Sequence, residues 1–431
     1  MPTTLSDQFQ QRLGGVDARK PEHVTAIVDK LLIAARDAGA SDVHLLPDAD
    51  GLRMSWRLDG VLHDVVSFPN EVKANIVARL KVLADLLTYR SDVPQEGRIR
   101  TPVSDATDSK FEMRVSTFPS LFGEKAVVRL FAGTGRLSRV SDLGLPADIV
   151  SELPRMLVET SGLLIVSGPA GSGKTTTLYA CLRELVEGGG RTVDGETTAA
   201  QAAPSTIHLP ASTVARRSVV TLEDPVEAVV PGAAQCPINV AAGFDFATGL
   251  RSLMRQDPEV ILVGEVRDRV TAETVFQASL TGHLVLTTFH TGSAAETITR
   301  LFDIGIEPFQ IRSGLRGVLC QRLVRRLCAC SVATVAPAAR LGLDVSEVRE
   351  PVGCEACRGT GYRGRAVLVE LLQPDQNDLG QSILSRNHTS EIERLAVAAG
   401  MVSFARRAHD AVATGITSPA EIRRTFGFRG V

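Results

Sequence analysis

Residues 168–175 read GPAGSGKT, directly after the apolar run SGLLIVS and directly before the helix-forming segment TTTLYACLRELVE. A glycine-rich turn between a buried strand and a helix leaves few folds open, because the pattern needs a sheet whose strand ends deliver a loop to a helix N-terminus. Gly168, Gly171 and Gly173 let the backbone turn tightly enough for successive N–H groups to converge on phosphate oxygens. Lys174 follows with a charge for the β- and γ-phosphates, and the Thr175 hydroxyl is placed to ligate Mg²⁺. The helix behind them turns its positive end toward the same anion. Pro169, Ala170, Ser172 and Thr176 complete the segment expected to bind ATP or GTP.

The chain has 431 residues, enough for two or three domains. Its formal net charge of −2 argues against holding nucleic acid by bulk charge, so no nucleic-acid partner is expected, although a local basic patch remains compatible with it. No apolar run approaches the ~18–20 residues of a membrane span. The opening residues MPTTLSDQFQQRLGG show neither a basic leader nor an apolar core, which gives a cytosolic expectation. Seven cysteines are an odd set for disulfides, and four of them form two close pairs, a spacing that suits a metal in a reducing compartment.

Pattern divides the chain into an N-terminal tail (1–20), a mixed α/β domain (21–135), a linker (136–147), an α/β core (148–320), a cysteine module (321–370) and a helical C-terminal segment (371–431). In the first domain, the alternating runs GLRMSWRL and VLHDVV flank Asp59-Gly60, a strong hairpin signal. A helix carrying Ile76, Val77, Leu80, Leu83 and Leu87 follows, and then further strands. In the core, the strands LLIVS, SVVTL, VILVG and LVLTT alternate with helical segments, which implies a mainly parallel sheet with its site at the strand C-termini. Residues 188–217 are rich in Gly, Ala, Thr, Ser and Pro and are expected as a mobile surface insertion.

Three core strands end on acidic or histidine residues: Glu223-Asp224-Pro225-Val226-Glu227 after VVTL, Glu265-Val266-Arg267-Asp268 after VILVG, and Phe289-His290-Thr291 after LVLTT. Beside Mg²⁺ and a phosphate, a carboxylate there can hold or polarise an attacking water.

The segments GPAGSGKTTTLYA, TLEDPVE, LRSLMRQDPEVILVGEVRD and TGHLVLTTFHT together resemble the type II secretion and type IV pilus assembly ATPases, and so do ASDVHLLP, WRLDGVL, MRVSTFPSLFGEKAVVRL and GCEACRGTGYRGR outside the core. The resemblance implies a RecA-like P-loop core preceded by a smaller α+β, PAS-like domain and followed by a zinc module and helices. It further implies an ATP-hydrolysing homo-hexamer on the cytoplasmic face of the inner membrane, working on a membrane platform protein. Residue by residue, it makes Glu223, Asp224 and Glu227 an acidic box and Gly264-Glu265 the end of the Walker B strand, with Arg267 just beyond. It makes His283 and His290 the histidine box. Glu265 is then the residue that orients or activates water, Glu223 contributes to Mg²⁺ and water placement, and His290 senses the γ-phosphate. Arg98 and Arg114 match arginines that reach the nucleotide in relatives.

Cys328 and Cys330 form one cysteine pair and Cys354 and Cys357 the other. Four thiolates suit a structural, tetrahedral Zn²⁺. The first pair is C-x-C where the family commonly has C-x-x-C, and one residue fewer is expected to strain a shared site. Cys181, Cys236 and Cys320 read as small buried residues. Pilus retraction or DNA uptake, a nucleic-acid translocase, and a regulator that binds nucleotide without turning it over remain alternative readings of the same P-loop.

Overall fold

Two sheets of opposite character organise the residues described by the computed structural model, namely 4–17, 19–99, 113–130, 139–188, 217–374 and 377–428. The chain divides into two compact units. One comprises residues 1–133, 325–334 and 349–365, and the other residues 134–324, 335–348 and 366–431. The insertion expected at 188–217 falls, apart from its end residues, outside the described residues, as does the start of the expected linker.

The N-terminal unit contains α1 (Leu5–Leu13), α2 (Val24–Ala38), β1 (Asp42–Pro47), β2 (Gly51–Leu58), β3 (Val61–Pro69), α3 (Asn70–Leu83), β4 (Gln95–Ile99), β5 (Met113–Ser120) and β6 (Gly123–Leu130). Its strands form an antiparallel sheet in the order β3-β2-β1-β6-β5-β4. The hairpin expected at Asp59-Gly60 forms, with φ of 48° and 84° at the two turn residues, a conformation in which glycine meets no Cβ penalty. Residues expected as part of a tail instead fold as α1. Leu5, Phe9 and Leu13 lie on its buried side, and Phe9 meets Trp56 and Phe68 edge-on at 5.9 and 6.3 Å between ring centroids.

Helix α3 stops at Leu83, short of Leu87. Asp85 takes a left-handed φ of 57°, and the Leu87 backbone is claimed by Gln95, whose side chain accepts from Leu87 N–H at 2.9 Å and donates to its C=O at 3.0 Å. Leu87 is consequently exposed. Beneath this loop the fully buried Lys81 donates to Arg90 C=O at 2.7 Å and to the Glu124 carboxylate at 2.8 and 3.0 Å. That satisfies a charge which burial alone would make costly.

The second unit supplies α4 (Ala147–Val158), β7 (Gly162–Ser167), α5 (Lys174–Glu187), β8 (Val219–Glu223), β9 (Ala234–Pro237), α6 (Phe246–Leu253), β10 (Val260–Val263), α7 (Arg269–Leu280), β11 (Leu284–Phe289), α8 (Ala294–Asp303), α9 (Pro308–Gly314) and the start of β12 (Leu315–Leu327). After the short ladder β13 (Val332–Thr334) and β14 (Val348–Glu350) come β15 (Tyr362–Leu372) and helices α10 (Asn377–Leu384), α11 (Thr389–Ala398), α12 (Phe404–Ala413) and α13 (Pro419–Phe426).

The large sheet runs β15-β12-β7-β11-β10-β8-β9, parallel from β12 to β9. Its central strands are buried on both faces, which is why they read as continuous apolar runs. Leu178, Leu182 and Leu185 of α5 pack on one face with Leu164 and Leu286, while Val275, Ile298 and Leu301 pack on the other with Ile165 and Val285. With both faces covered, polar chemistry is left to the strand ends.

Candidate nucleotide site and cysteine cluster

Parallel register brings the ends of β7, β11, β10 and β8 to one edge of the sheet in that spatial order. The loop after β7 is shaped by its glycines: Gly168, Gly171 and Gly173 have φ of 140°, 75° and 92°. A Cβ on Gly168 would lie 2.3 Å from Gln321 C=O, so no other residue fits this wall of the cradle. Lys174 opens α5 and is nearly buried; its ammonium donates to the carbonyls of Gly168 at 2.8 Å and Pro169 at 3.0 Å and lies 3.4 Å from His290 Nδ1. The Ser172 hydroxyl is buried and, among the described residues, finds no hydrogen-bond partner. An orphaned donor inside a loop of converging N–H groups fits an anionic phosphate. Thr175 and Thr176 are half-buried in the first turn of α5, where a Mg²⁺ ligand is needed.

Glu265 follows β10. Its carboxylate pairs with Arg267 and lies 4.0 Å from His290 Nε2. Burial lowers the His290 pKa below its ordinary 6.5, with Lys174 adding to the effect and Glu265 opposing it. The imidazole is therefore neutral at pH 7, with a lone pair available to the Lys174 ammonium. Burial likewise lowers the Lys174 pKa, and the Glu265 charge pulls against it. Lys174, His290 and Glu265 thus form one contiguous cluster.

The other expected residues fall elsewhere. His283 precedes β11, at the opposite end of the strand from His290, and its Nδ1 lies 3.0 Å from Ala278 C=O in the last turn of α7. Gly264 closes β10, donating to Leu222 C=O at 2.8 Å and accepting from the Thr288 hydroxyl at 2.6 Å. Asp224 and Glu227 are exposed on the loop after β8, and Glu223 is buried. Arg98 and Arg114 face each other across β4 and β5 in the N-terminal unit. Of the remaining cysteines, Cys181 and Cys320 are buried and Cys236 is half-buried.

Sequence reading missed the residues that brace this edge. Gln321 on β12 donates to Ser172 C=O at 2.7 Å and accepts from the Thr177 hydroxyl at 3.0 Å, fixing the P-loop from beneath. Arg322 donates to Gly292 C=O and to Thr425 C=O, both at 3.1 Å, and its guanidinium lies over the Phe426 ring at 5.0 Å. The buried Glu370 accepts from the N–H groups of Ala294 at 3.1 Å and Phe404 at 2.8 Å, capping α8 and α12 together. The loop carrying His290 is therefore tied to the C-terminal helices. These contacts join residues far apart in sequence, and no local motif announces them.

The four cysteines of the two pairs converge. All their sulfurs lie within 4.8 Å of one another, with Cys328–Cys354 and Cys354–Cys357 at 3.7 Å and Cys330–Cys357 at 3.9 Å. Zn–S bonds of about 2.3 Å in a tetrahedron put sulfurs about 3.8 Å apart, and each cysteine of the C-x-C pair lies about that far from one cysteine of the second pair. Against the upward push of burial, N–H donors from Cys354 and Gly361 help hold the Cys357 thiol at about 7, which favours the ligating thiolate. Arg358, just beyond, donates to Ala38 C=O at 2.6 Å, capping the end of α2.

The family model for type II/IV secretion system proteins matches residues 17–424. The chain belongs to that family, and by family it is an ATPase of secretion and pilus systems. It is 35% identical to the type II secretion system ATPase E of Vibrio cholerae, covering 98% of this chain and 79% of that protein. It is also 35% identical to the type IV pilus assembly ATPase TfpB of Acinetobacter baylyi, covering 94% of this chain and 65% of the relative, just under two thirds of its length. Among solved structures, the Legionella pneumophila ATPase DotB shares the fold with a TM-score of 0.63 at 20% identity, covering 93% of this chain and 95% of that one. Among the described residues, no helix is long and apolar enough to cross a membrane.

Proposed function

We propose that the chain hydrolyses Mg-ATP as a subunit of a homo-hexameric ring at the cytoplasmic face of the inner membrane. Nucleotide-driven domain motions would be passed to a membrane platform protein in type II secretion or type IV pilus assembly. The observation that carries this reading is the Lys174–His290–Glu265 cluster beside a P-loop whose Ser172 hydroxyl has no protein partner among the described residues.

In this reading the loop N–H groups and Lys174 hold the phosphates, and Thr175 supplies a ligand to Mg²⁺, which when bound neutralises phosphate charge. Glu265, paired with Arg267, accepts a hydrogen bond from the attacking water. His290, neutral and in contact with both Lys174 and Glu265, registers the state of the γ-phosphate and relays it into the loop fixed by Arg322 and Glu370. Asp224, Glu227 and the acidic box stand on the neighbouring strand end, and Gly264, Arg267 and His283 complete the motifs. Arg98 and Arg114 are proposed to add positive charge at the phosphates.

Cys328, Cys330, Cys354 and Cys357 are proposed to hold one structural Zn²⁺, supported by sulfur separations of 3.7 and 3.9 Å. That module, together with relatives named for assembly and secretion, favours those directions over retraction.

The test is phosphate release from ATP by the purified chain, with and without single-stranded DNA, with assembly size measured in the same samples. DNA-independent turnover that rises with assembly supports the motor. Strong stimulation by DNA replaces it with a nucleic-acid translocase, and binding without turnover in the assembled state replaces it with a regulator.

A further inference from the structure

Glu223 and Glu265 both end strands of the parallel sheet, yet their surroundings differ. Strand β8 stands three places from β7, so Glu223 is removed from the strand that feeds the P-loop by roughly three spacings of 4.8 Å, on the order of 14 Å. Strand β11, leading to His290, is adjacent to β7, and β10, leading to Glu265, comes next. Glu223 is 4% exposed, and its carboxylate is filled with donors. Oε1 accepts from the Thr221 hydroxyl at 2.5 Å and from Gln235 Nε2 at 3.1 Å, while the other oxygen accepts from the Tyr179 hydroxyl.

Tyr179 lies on α5, on the same helix as Lys174, and is 2% exposed. Besides donating to Glu223, its oxygen accepts from the backbone N–H groups of Glu227 at 3.1 Å and Ala228 at 3.3 Å. One phenol oxygen therefore joins the P-loop helix, the end of β8 and the loop 224–228 that carries Asp224 and Glu227. Gln235 reinforces the same loop, donating to Ala228 C=O at 2.9 Å and accepting from Val230 N–H at 2.7 Å.

We propose, on the ATPase reading of the site, that Tyr179 and Glu223 are a pair of positioning residues. They set the acidic loop against the P-loop helix, and water activation is left to Glu265. A carboxylate that polarises water needs a lone pair turned to the reacting atoms, whereas those of Glu223 are turned to Tyr179, Thr221 and Gln235. Rotating Glu223 outward would strip a buried phenol of its acceptor as well. The loop it steadies holds the exposed carboxylates of the box, and through α5 their placement relative to Lys174 and Thr175 becomes a single rigid relation.

The experiment compares Tyr179→Phe, Glu223→Gln and the double variant with wild type and Glu265→Gln in the full chain. The readouts are steady-state turnover, affinity for a non-hydrolysable ATP analogue and the pH profile of kcat. Tyr179→Phe removes one oxygen and little volume, so it keeps the test open if Glu223→Gln folds poorly. Expected are kcat reductions of about tenfold in each single variant, analogue affinity within about twofold, and a double variant no worse than the poorer single one. The acid limb of the profile should stay in place in Glu223→Gln. The proposal is overturned if Tyr179→Phe turns over at the wild-type rate. It also falls if Glu223→Gln drops as far as Glu265→Gln and loses the acid limb, because Glu223 would then be the base itself. Failure of the ATPase reading looks different: wild type would show no turnover, or Glu265→Gln would leave it unchanged.

Discussion

The antiparallel sheet of the N-terminal unit and the parallel sheet of the second unit handle charge in opposite ways. Across the first, strand register lines up Arg57, Asp42, Arg129, Arg114 and Arg98 in one row, with Asp42 paired to Arg57 at 3.5 Å and to Arg129 at 3.0 Å. An antiparallel sheet with helices on one face can spread such a row over the other. The parallel sheet has no free face, so its charged residues gather at the strand ends, where loop N–H groups, Lys174, His290 and Glu265 meet. The difference teaches where chemistry can arise. A buried parallel sheet concentrates it at an edge, while an open antiparallel face leaves charge spread along a row.

Substitutions can break this contrast, and the largest effect is expected in the concentrated site. Lys174→Ala should lower both nucleotide affinity and turnover, the latter by at least about 100-fold, because one preorganised charge at a reacting phosphate contributes on that scale. Equilibrium binding and phosphate release check it. Next comes the cysteine cluster: stripping the metal with a chelator, or Cys354→Ser, should release about one zinc per chain and destabilise the N-terminal unit, where Arg358 of the module caps α2. Metal analysis and thermal unfolding read this out, and a protein purified without metal and unmoved by chelation would remove zinc from the account.

In the distributed row, Arg98→Ala and Arg114→Ala should each reduce turnover about tenfold with analogue binding largely intact. Unchanged turnover in both would detach the row from the nucleotide. The smallest effect is in pH. Because the folded His290 pKa lies below 6.5, the unfolded chain binds the extra proton first, so this group's contribution to stability declines as pH falls through and below that value. Turnover should follow the same direction, since an imidazolium 3.4 Å from Lys174 repels the ammonium that holds phosphate. A kcat profile of wild type beside His290→Asn tests this, the variant losing that part of the acid limb.

Legibility in the sequence follows the same division. The P-loop was readable because its chemistry is carried by consecutive residues, and the Asp59-Gly60 hairpin because two adjacent residues must take positive φ. The alternation of strands and helices gave the parallel sheet for the same local reason. What escaped is non-local. Tyr179 reads as one more apolar residue on a helix, Gln321 and Arg322 as ordinary strand residues, and Glu370 as a surface acid, until packing sets them beside partners about 30 to 150 positions away. Leu87 keeps the helical spacing yet leaves the helix, because Gln95 offers its backbone a better set of hydrogen bonds. The convergence of the two cysteine pairs is non-local too, since Cys328 and Cys354 meet across 26 positions.

The most direct test of the central claim is to measure ATP binding and single-turnover hydrolysis in Glu265→Gln beside wild type. Binding within about twofold of wild type with hydrolysis slowed at least about 100-fold is the predicted result, because Glu265 is proposed to act on the attacking water and Lys174 on the phosphates. Hydrolysis at the wild-type rate would contradict the account, showing that the carboxylate beside His290 is not the one that acts on water.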